Sequence, residues 1–231
     1  RKVLASHIQV TAQGMEFELI VDGDNAGYVK TKFIGDFNIS NALAVAATLL
    51  AGGMAIGEVK QAIEKLQPVK GRMELIHSKS TQAPLAVVDF AHTPDALEKV
   101  LKTLKPISEK RQGQLWCVFG CGGDRDVTKR PLMGGIAERY AAHVMVTSDN
   151  PRSEDPELIM ANILAGFSDA SRALINADRA TAILQVIRQA KPEDVVLVAG
   201  KGHEETQEIA GKKLPFSDQV HLQLAMEGSV R

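Results

Sequence analysis

Three polar stretches carry side chains whose type and spacing could do chemistry. Gly120-Cys121-Gly122-Gly123-Asp124-Arg125-Asp126 places one arginine and two aspartates among consecutive small residues. Such a run lets backbone N–H groups converge on an anion. It equally suits a tight turn in which glycine supplies positive φ, and spacing alone leaves the two readings even. It is not the dinucleotide fingerprint, because Arg125 stands where the third glycine belongs. Nor does a Lys-Ser or Lys-Thr pair follow at the spacing a phosphate loop requires.

Asp149-Asn150-Pro151-Arg152 is the second stretch. A guanidinium in a loop before a helix start can grip a carboxylate through two parallel hydrogen bonds, and Asp149 could receive an ammonium. A surface loop with a local Asp–Arg pair accounts for the same four residues. The third stretch is Gly200-Lys201-Gly202-His203-Glu204-Glu205, in which the glycines permit close approach to the backbone and Glu204 can accept from an ammonium. Together Arg125, Arg152, Asp149 and Glu204 make two cationic and two anionic groups. That set suits a zwitterion with more than one carboxylate and more than one amine.

The elements that must position these loops follow from periodicity. Residues 3 to 34 read as strands, with turns at Gln13-Gly14 and from Asp22 to Asn25. Ala42 to Leu50 and Val59 to Leu66 read as helices. Gln67-Pro68-Val69-Lys70-Gly71 is the linker candidate. Beyond it, buried-type strands at Leu85 to Phe90, Leu115 to Phe119, Val144 to Thr147 and Val195 to Ala199 are separated by helices. These are Asp95 to Leu104, Pro131 to Tyr140, Pro156 to Phe167 and Ala180 to Ala190. Asp155 and Pro156 suit an N-cap and first helical residue. Short strands around Ile209 and Leu214 and a helix from Asp218 to Met226 complete the pattern. Strand–helix alternation implies an α/β fold with a doubly wound, mostly parallel, Rossmann-like sheet. In such a sheet ligands sit at the carboxyl ends of the strands. All three polar stretches fall there, as does a fourth loop, Asp89 to Pro94.

The rest of the chain narrows the classes. With 231 residues, 45% hydrophobic and 24% charged, it is an ordinary globular sequence of one to two domains. A net charge of −1 offers no basic excess for nucleic acid or an anionic membrane. No stretch reaches the run of about 20 apolar residues that spans a bilayer. The start, Arg1 to His7, lacks the apolar core of a signal peptide, and a strand pattern at Val3 suggests that the chain begins inside a larger protein. Two cysteines point to a reducing, cytoplasmic setting. Cys117 reads as core, Cys121 as a small loop residue, and Trp116 as packed against a helix. The six histidines show no metal spacing, so no metal site is expected from this chain.

The loops, taken in order, resemble the Mur ligase family. Asp149-Asn150-Pro151-Arg152 looks like the DNPR motif of the branch that adds meso-diaminopimelate to the peptidoglycan precursor. Five further stretches match at family-like spacing. They are Phe37-Asn38-Ile39-Ser40-Asn41, Gly71-Arg72-Met73-Glu74, Asp89-Phe90-Ala91-His92-Thr93-Pro94, and the two glycine-bearing loops at 120–126 and 200–204. The resemblance implies that residues 1–69 are the end of a central ATP-binding domain and residues 70–231 a C-terminal amino-acid-binding domain. It implies ATP-dependent amide synthesis on UDP-N-acetylmuramoyl-L-alanyl-D-glutamate through an acyl phosphate, with Mg2+ as cofactor, in a cytoplasmic monomer. Arg125, Asp149, Asn150, Pro151, Arg152, Gly200 and Glu204 would bind meso-diaminopimelate. Asn38, Asn41, Arg72, Asp89 and His92 would contact ATP, although Asn38 and Asn41 also suit helix capping. Phe90 departs from the family, where tyrosine is frequent. The family's phosphate loop, modified lysine and magnesium ligands would lie upstream of residue 1. No catalytic residue is therefore assigned in this chain, and it is expected to be inactive alone. The competing classes are a non-catalytic amino-acid-binding module and a nucleotide-dependent oxidoreductase. The second is disfavoured by the missing third glycine and ribose-binding acid.

Overall fold

A computed structural model describes residues 1–11 and 13–228. The chain divides into two compact units at Val69/Lys70, with Met73–Leu75 grouped with the first unit.

The first unit is a three-stranded antiparallel meander with two helices. Its strands are β1 (Val3–Thr11), β2 (Gly14–Val21) and β3 (Asp24–Thr31). Strand β2 alternates cleanly, burying Met15, Phe17, Leu19 and Val21. Asp22 and Gly23 both adopt positive φ (53° and 102°), the two-residue turn that matches strand twist. Helix α1 (Asp36–Ala51) begins six residues before the expected Ala42, and α2 spans Ile56–Glu64. The cause of the early start is Gly35, which takes the N-cap position at φ 97° without a side-chain bond. The capping expected of Asn38 and Asn41 is therefore not found. Both lie inside α1, where Asn38 Nδ2 donates to the Ile34 carbonyl (2.8 Å) and Asn41 is exposed.

The second unit is built on five strands in the order β5-β9-β6-β7-β8, which belong to a six-stranded sheet whose other edge strand is β4, of which only Ile76 falls in this unit. The strands of the sheet are β4 (Glu74–Ile76), β5 (Leu85–Asp89), β6 (Leu115–Phe119), β7 (His143–Thr147), β8 (Ala173–Asn176) and β9 (Val195–Ala199). The pairs β5/β9, β9/β6, β6/β7 and β7/β8 are parallel. Helix α4 (Lys129–Tyr140) packs against α3 (Pro94–Lys110) and α5 (Pro156–Leu164), and α6 (Arg179–Gln189) packs against α7 (Asp218–Gly228). Alternate strand residues Ala86, Val88, Trp116, Val118, Val196 and Val198 form one core with Ala182, Ile183, Val186 and Leu222. Trp116 is thus packed against a helix, and Asp155 caps α5 by accepting from the Glu157 amide (2.9 Å). A hairpin of β10 (Thr206–Ile209) and β11 (Lys212–Pro215) follows β9.

Strands β4 and β8 were not expected. Each is an edge strand of three or four residues, and β8 leaves Leu174 and Ile175 exposed. Neither shows the continuous burial that marks β5, β6 and β9 in sequence. Helix α5 ends at Leu164, three residues short of the expected Phe167.

Candidate substrate-binding cleft

The chain runs outward from β6 to β7 and β8, then α6 carries it back to β9 on the other side of β6. Loops on either side of such a reversal diverge and leave a crevice. Here it is a cleft of about 400 Å³ at the carboxyl ends of β5, β6, β7 and β9. Arg125, Asp149, Asn150, Arg152, Gly200 and Glu204 all line it, together with Phe90, His92 and Cys121. Pro151 is buried and does not line it, while Arg72 and Asp89 also stay outside its wall. Asn38 and Asn41 belong to the first unit.

The glycines after β6 serve close packing, not positive φ. A Cβ on Gly120 would lie 2.1 Å from the Thr147 carbonyl oxygen, and one on Gly123 1.9 Å from that of Pro151. The left-handed residue in this loop is Asp124, at φ 53°. The Gly123 amide donates to the Asn150 carbonyl (2.9 Å) and the Asp124 amide to Glu154 (2.5 Å). These two N–H groups are therefore spent inside the protein and not free for the anion-binding reading, while the positive-φ turn reading fails for Gly120, Gly122 and Gly123. What the loop supplies is Arg125, exposed at the cleft and bonded through Nη1 to the neighbouring Asp124 carbonyl (3.0 Å).

Beneath this loop the buried Arg130 meets both Glu154 oxygens at 2.8 Å and donates to the Gly122 carbonyl (3.3 Å) and Asn162 (3.0 Å). Its Nε is buried without a partner, as is Thr147 Oγ1. Asp124 also accepts from the Ser153 hydroxyl (2.7 Å) and amide (3.2 Å). The Ser153 bonds chiefly hold its carboxyl below the usual range. The loops after β6 and β7 are thus fastened as one body.

Arg152 is held in a left-handed conformation, φ 54°, by the β10 strand. Its amide donates to the Glu208 carbonyl (3.0 Å), and its carbonyl accepts from the Ala210 amide (2.7 Å). Its Nη1 donates to the Gly123 carbonyl (2.7 Å), and Nε lies 3.7 Å from Glu208 Oε2. The local Asp–Arg pair is thus not formed, since Glu208 is the acid beside Arg152. Gln207 Nε2 donates to the Asp149 carbonyl (2.8 Å), so the hairpin grips this loop at both ends.

Asp149 is buried, and a Cβ on Gly200, itself at φ 114°, would meet its Oδ2 at 2.5 Å. Only glycine fits there. Burial pushes the Asp149 carboxyl above its ordinary range, against the opposing pull of Arg179 and Lys201. The fully buried Lys201 donates to Asn150 Oδ1 (3.0 Å) and Glu204 Oε2 (2.9 Å). Asn150 Nδ2 adds a bond to the same Glu204 oxygen (2.8 Å). Burial alone would raise the Glu204 carboxyl, but the bonds from Lys201 and Asn150 outweigh it and hold the group ionised. Both bonds fall on Oε2, which leaves Oε1 able to accept. Burial, and then the Asp149 charge, push the Cys121 thiol up to about 12.

Residues not foreseen are Lys201, Arg130, Arg179, Gln207 and Glu208. Lys201 stood between two glycines after a fully apolar strand, where a lysine must either turn inward or mark a ligand. The other four gave no local signal. Phe90 sits under the Arg72 guanidinium (4.8 Å to the ring centre), with the His92 and His203 rings at 4.5 and 5.1 Å. His92 Nδ1 is 2.8 Å from the Phe90 carbonyl oxygen. Among the described residues no three acidic, histidine or cysteine side chains are grouped to hold a metal.

Residues 71–202 match the family model described as Mur ligase, glutamate ligase domain. The chain is 52% identical over 223 residues to the UDP-N-acetylmuramoyl-L-alanyl-D-glutamate–2,6-diaminopimelate ligase of Ralstonia nicotianae, covering 96% of this chain and 43% of the relative. It is 46% identical over 225 residues to the enzyme of the same name from Acidovorax, covering 97% of this chain and 44% of the relative. A solved structure of a ligase of that name superposes with a TM-score of 0.74 at 41% identity, over 97% of this chain and 45% of the other. A UDP-N-acetylmuramate–alanine ligase from Thermotoga maritima shares the fold, with a TM-score of 0.60 at 21% identity, over 87% of this chain and 42% of the other. The chain spans less than half the length of these relatives. Neither the oxidoreductase nor the non-catalytic module is favoured by these likenesses. The chain belongs to the Mur ligase family.

Proposed function

We propose that this chain is the amino-acid-binding end of an ATP-dependent ligase that joins meso-diaminopimelate to UDP-N-acetylmuramoyl-L-alanyl-D-glutamate. In that reaction the D-glutamyl γ-carboxylate is activated as an acyl phosphate, an amine of diaminopimelate attacks its carbonyl carbon, and phosphate leaves. The enzyme would be a cytoplasmic monomer of peptidoglycan synthesis, and hence of cell shape and division. Residues 1–69 would close the ATP-binding domain and residues 70–231 form the amino-acid domain. The last three residues of that second range lie outside those described.

The observation that carries this reading is the convergence of Arg125, Arg152, Asp149 and Glu204 from three loops on one cleft, which Asp126 and Lys129 also line. Arg152 has Nη2 and one Nη1 proton left for a distal carboxylate, and Arg125 reaches the same space from another loop. Asp149 and Glu204 offer carboxylate oxygens to ammonium groups. Fixing the amino acid by these four side chains would orient its remaining amine and lower the entropic barrier to attack.

Within the second unit, ATP would be met by Arg72, Asp89 and His92. A guanidinium and two imidazoles around Phe90 fit an anionic, aromatic ligand. Mg2+ would neutralise phosphate charge, and its ligands are not assigned to this chain.

The test is calorimetric titration of the 231-residue chain with meso-diaminopimelate and with L-lysine. Saturable binding of the first, with lysine at least about tenfold weaker, is expected. Equal affinity for both, or binding of neither, would overturn the reading.

A further inference from the structure

The Arg179 guanidinium and the Asp218 carboxylate are both 0% exposed. Nε and Nη2 of Arg179 meet the two Asp218 oxygens at 2.8 Å each, a full fork. Arg179 opens α6 and Asp218 opens α7, so the pair joins the first turns of two helices. Its remaining donors reach the sheet. Nη1 donates to the Ser148 carbonyl (3.1 Å), and Nη2 also to the Ala199 carbonyl (2.9 Å). Ser148 and Ala199 immediately precede Asp149 and Gly200, the two residues whose close approach admits no Cβ.

A buried ion pair is weak evidence for stability, since well-packed apolar residues often serve as well. Apolar side chains could not hold two carbonyls at the ends of separate strands, however, nor set a charge beside the cleft. We propose that Arg179, oriented by Asp218, is a positioning residue. It fixes the backbone that presents Asp149 and Gly200, and it sets a positive charge beside the buried Asp149 carboxyl, where an ammonium would be received. This rests on the cleft being an amino-acid site.

The charges facing Asp149 come from three elements. Arg179 on α6 and Lys201 after β9 favour ionisation, while Glu204 after β9 and Asp218 on α7 oppose it. The Cys121 thiol after β6 stays neutral. Removing either partner of the pair therefore shifts Asp149 in opposite directions. A merely structural role would damage both variants alike.

The experiment is NMR titration of 13C-labelled aspartate carboxyls in the full 231-residue chain. In Arg179→Gln the Asp149 midpoint should rise by about one unit or more. In Asp218→Asn it should fall, and in Arg179→Lys, which keeps the charge but not the fork, it should stay near the parent value. Affinity for meso-diaminopimelate should drop about tenfold or more in Arg179→Gln, and drop further as pH is lowered. If Arg179→Gln does not fold, the signed shift in Asp218→Asn and the retention in Arg179→Lys decide the matter. Midpoints that stay put, or move the same way in both neutralising variants, would overturn the inference. Should the parent chain bind no diaminopimelate, the functional reading fails, while the carboxyl titration still tests Arg179 alone.

Discussion

Arg152→Ala is the perturbation whose outcome follows most directly from the cleft. The side chain is 22% exposed, and one Nη1 proton is committed to the Gly123 carbonyl. The remaining fork would face the distal carboxylate of meso-diaminopimelate. Truncating one partner of a desolvated charge pair costs about 2–5 kcal/mol, because the other charge is left unpaired. At about 1.4 kcal/mol per tenfold, affinity should fall by roughly 30-fold to several-thousand-fold. L-Lysine lacks that carboxylate, so its weaker binding should barely change. Arg152→Lys should rescue little, since an ammonium cannot reproduce the planar fork. The backbone adds an internal control. Position 152 sits at φ 54°, where alanine is strained and glycine is not. Arg152→Gly should therefore be more stable than Arg152→Ala, by about 1 kcal/mol, yet equally poor at binding diaminopimelate. The assay is calorimetric titration of both amino acids beside urea unfolding. Intact diaminopimelate affinity in Arg152→Ala, or an equal loss for lysine, would refute the specificity assigned to this guanidinium.

Gly123→Ala should lower stability by about 2–4 kcal/mol, since its Cβ would stand 1.9 Å from a backbone oxygen. A urea midpoint matching the parent would contradict the close packing described. The Glu154 carboxyl is held below its ordinary range, chiefly by Arg130 and then by the Asp124 amide. A depressed carboxylate stabilises the fold above its unfolded pKa of about 4.3, and that contribution fades as pH falls through the folded value. Acid unfolding should accordingly be less steep below about pH 4.5 in Glu154→Gln, and an unchanged slope would remove Glu154 from the account. With its thiol pushed up to about 12, Cys121 should be almost wholly protonated at neutral pH and alkylate far more slowly than a free thiol. Labelling at the free-thiol rate, followed by mass spectrometry of the peptide, would show the cleft to be more open.

The parallel sheet was legible because residues 85–88, Leu115 to Phe119 and Val195 to Ala199 are apolar on both faces, which only a strand covered on two sides tolerates. The cleft was legible because polar residues follow those strands where the fold has no need of them. What stayed hidden depends on approach between distant residues. Asn150 and Glu204 meet across 54 positions, and Arg179 and Asp218 across 39. The glycines after β6 look like turn residues, yet they are required by the carbonyls of Thr147, at the end of β7, and of Pro151, in the loop that follows. Strand β8 escaped notice because its apolar residues face solvent at an edge. The start of α1 was misplaced because Gly35, with no side chain to signal it, occupies the N-cap.

The central claim is that meso-diaminopimelate occupies the cleft between the loops after β6, β7 and β9. The direct test is an amide and side-chain NMR map of the 231-residue chain titrated with that amino acid. The account predicts saturable shifts centred on Arg125, Asp149, Asn150, Arg152, Gly200 and Glu204, with the β10–β11 hairpin following through Gln207 and Glu208. Shifts centred elsewhere, or no saturable shift at millimolar diaminopimelate, would contradict it.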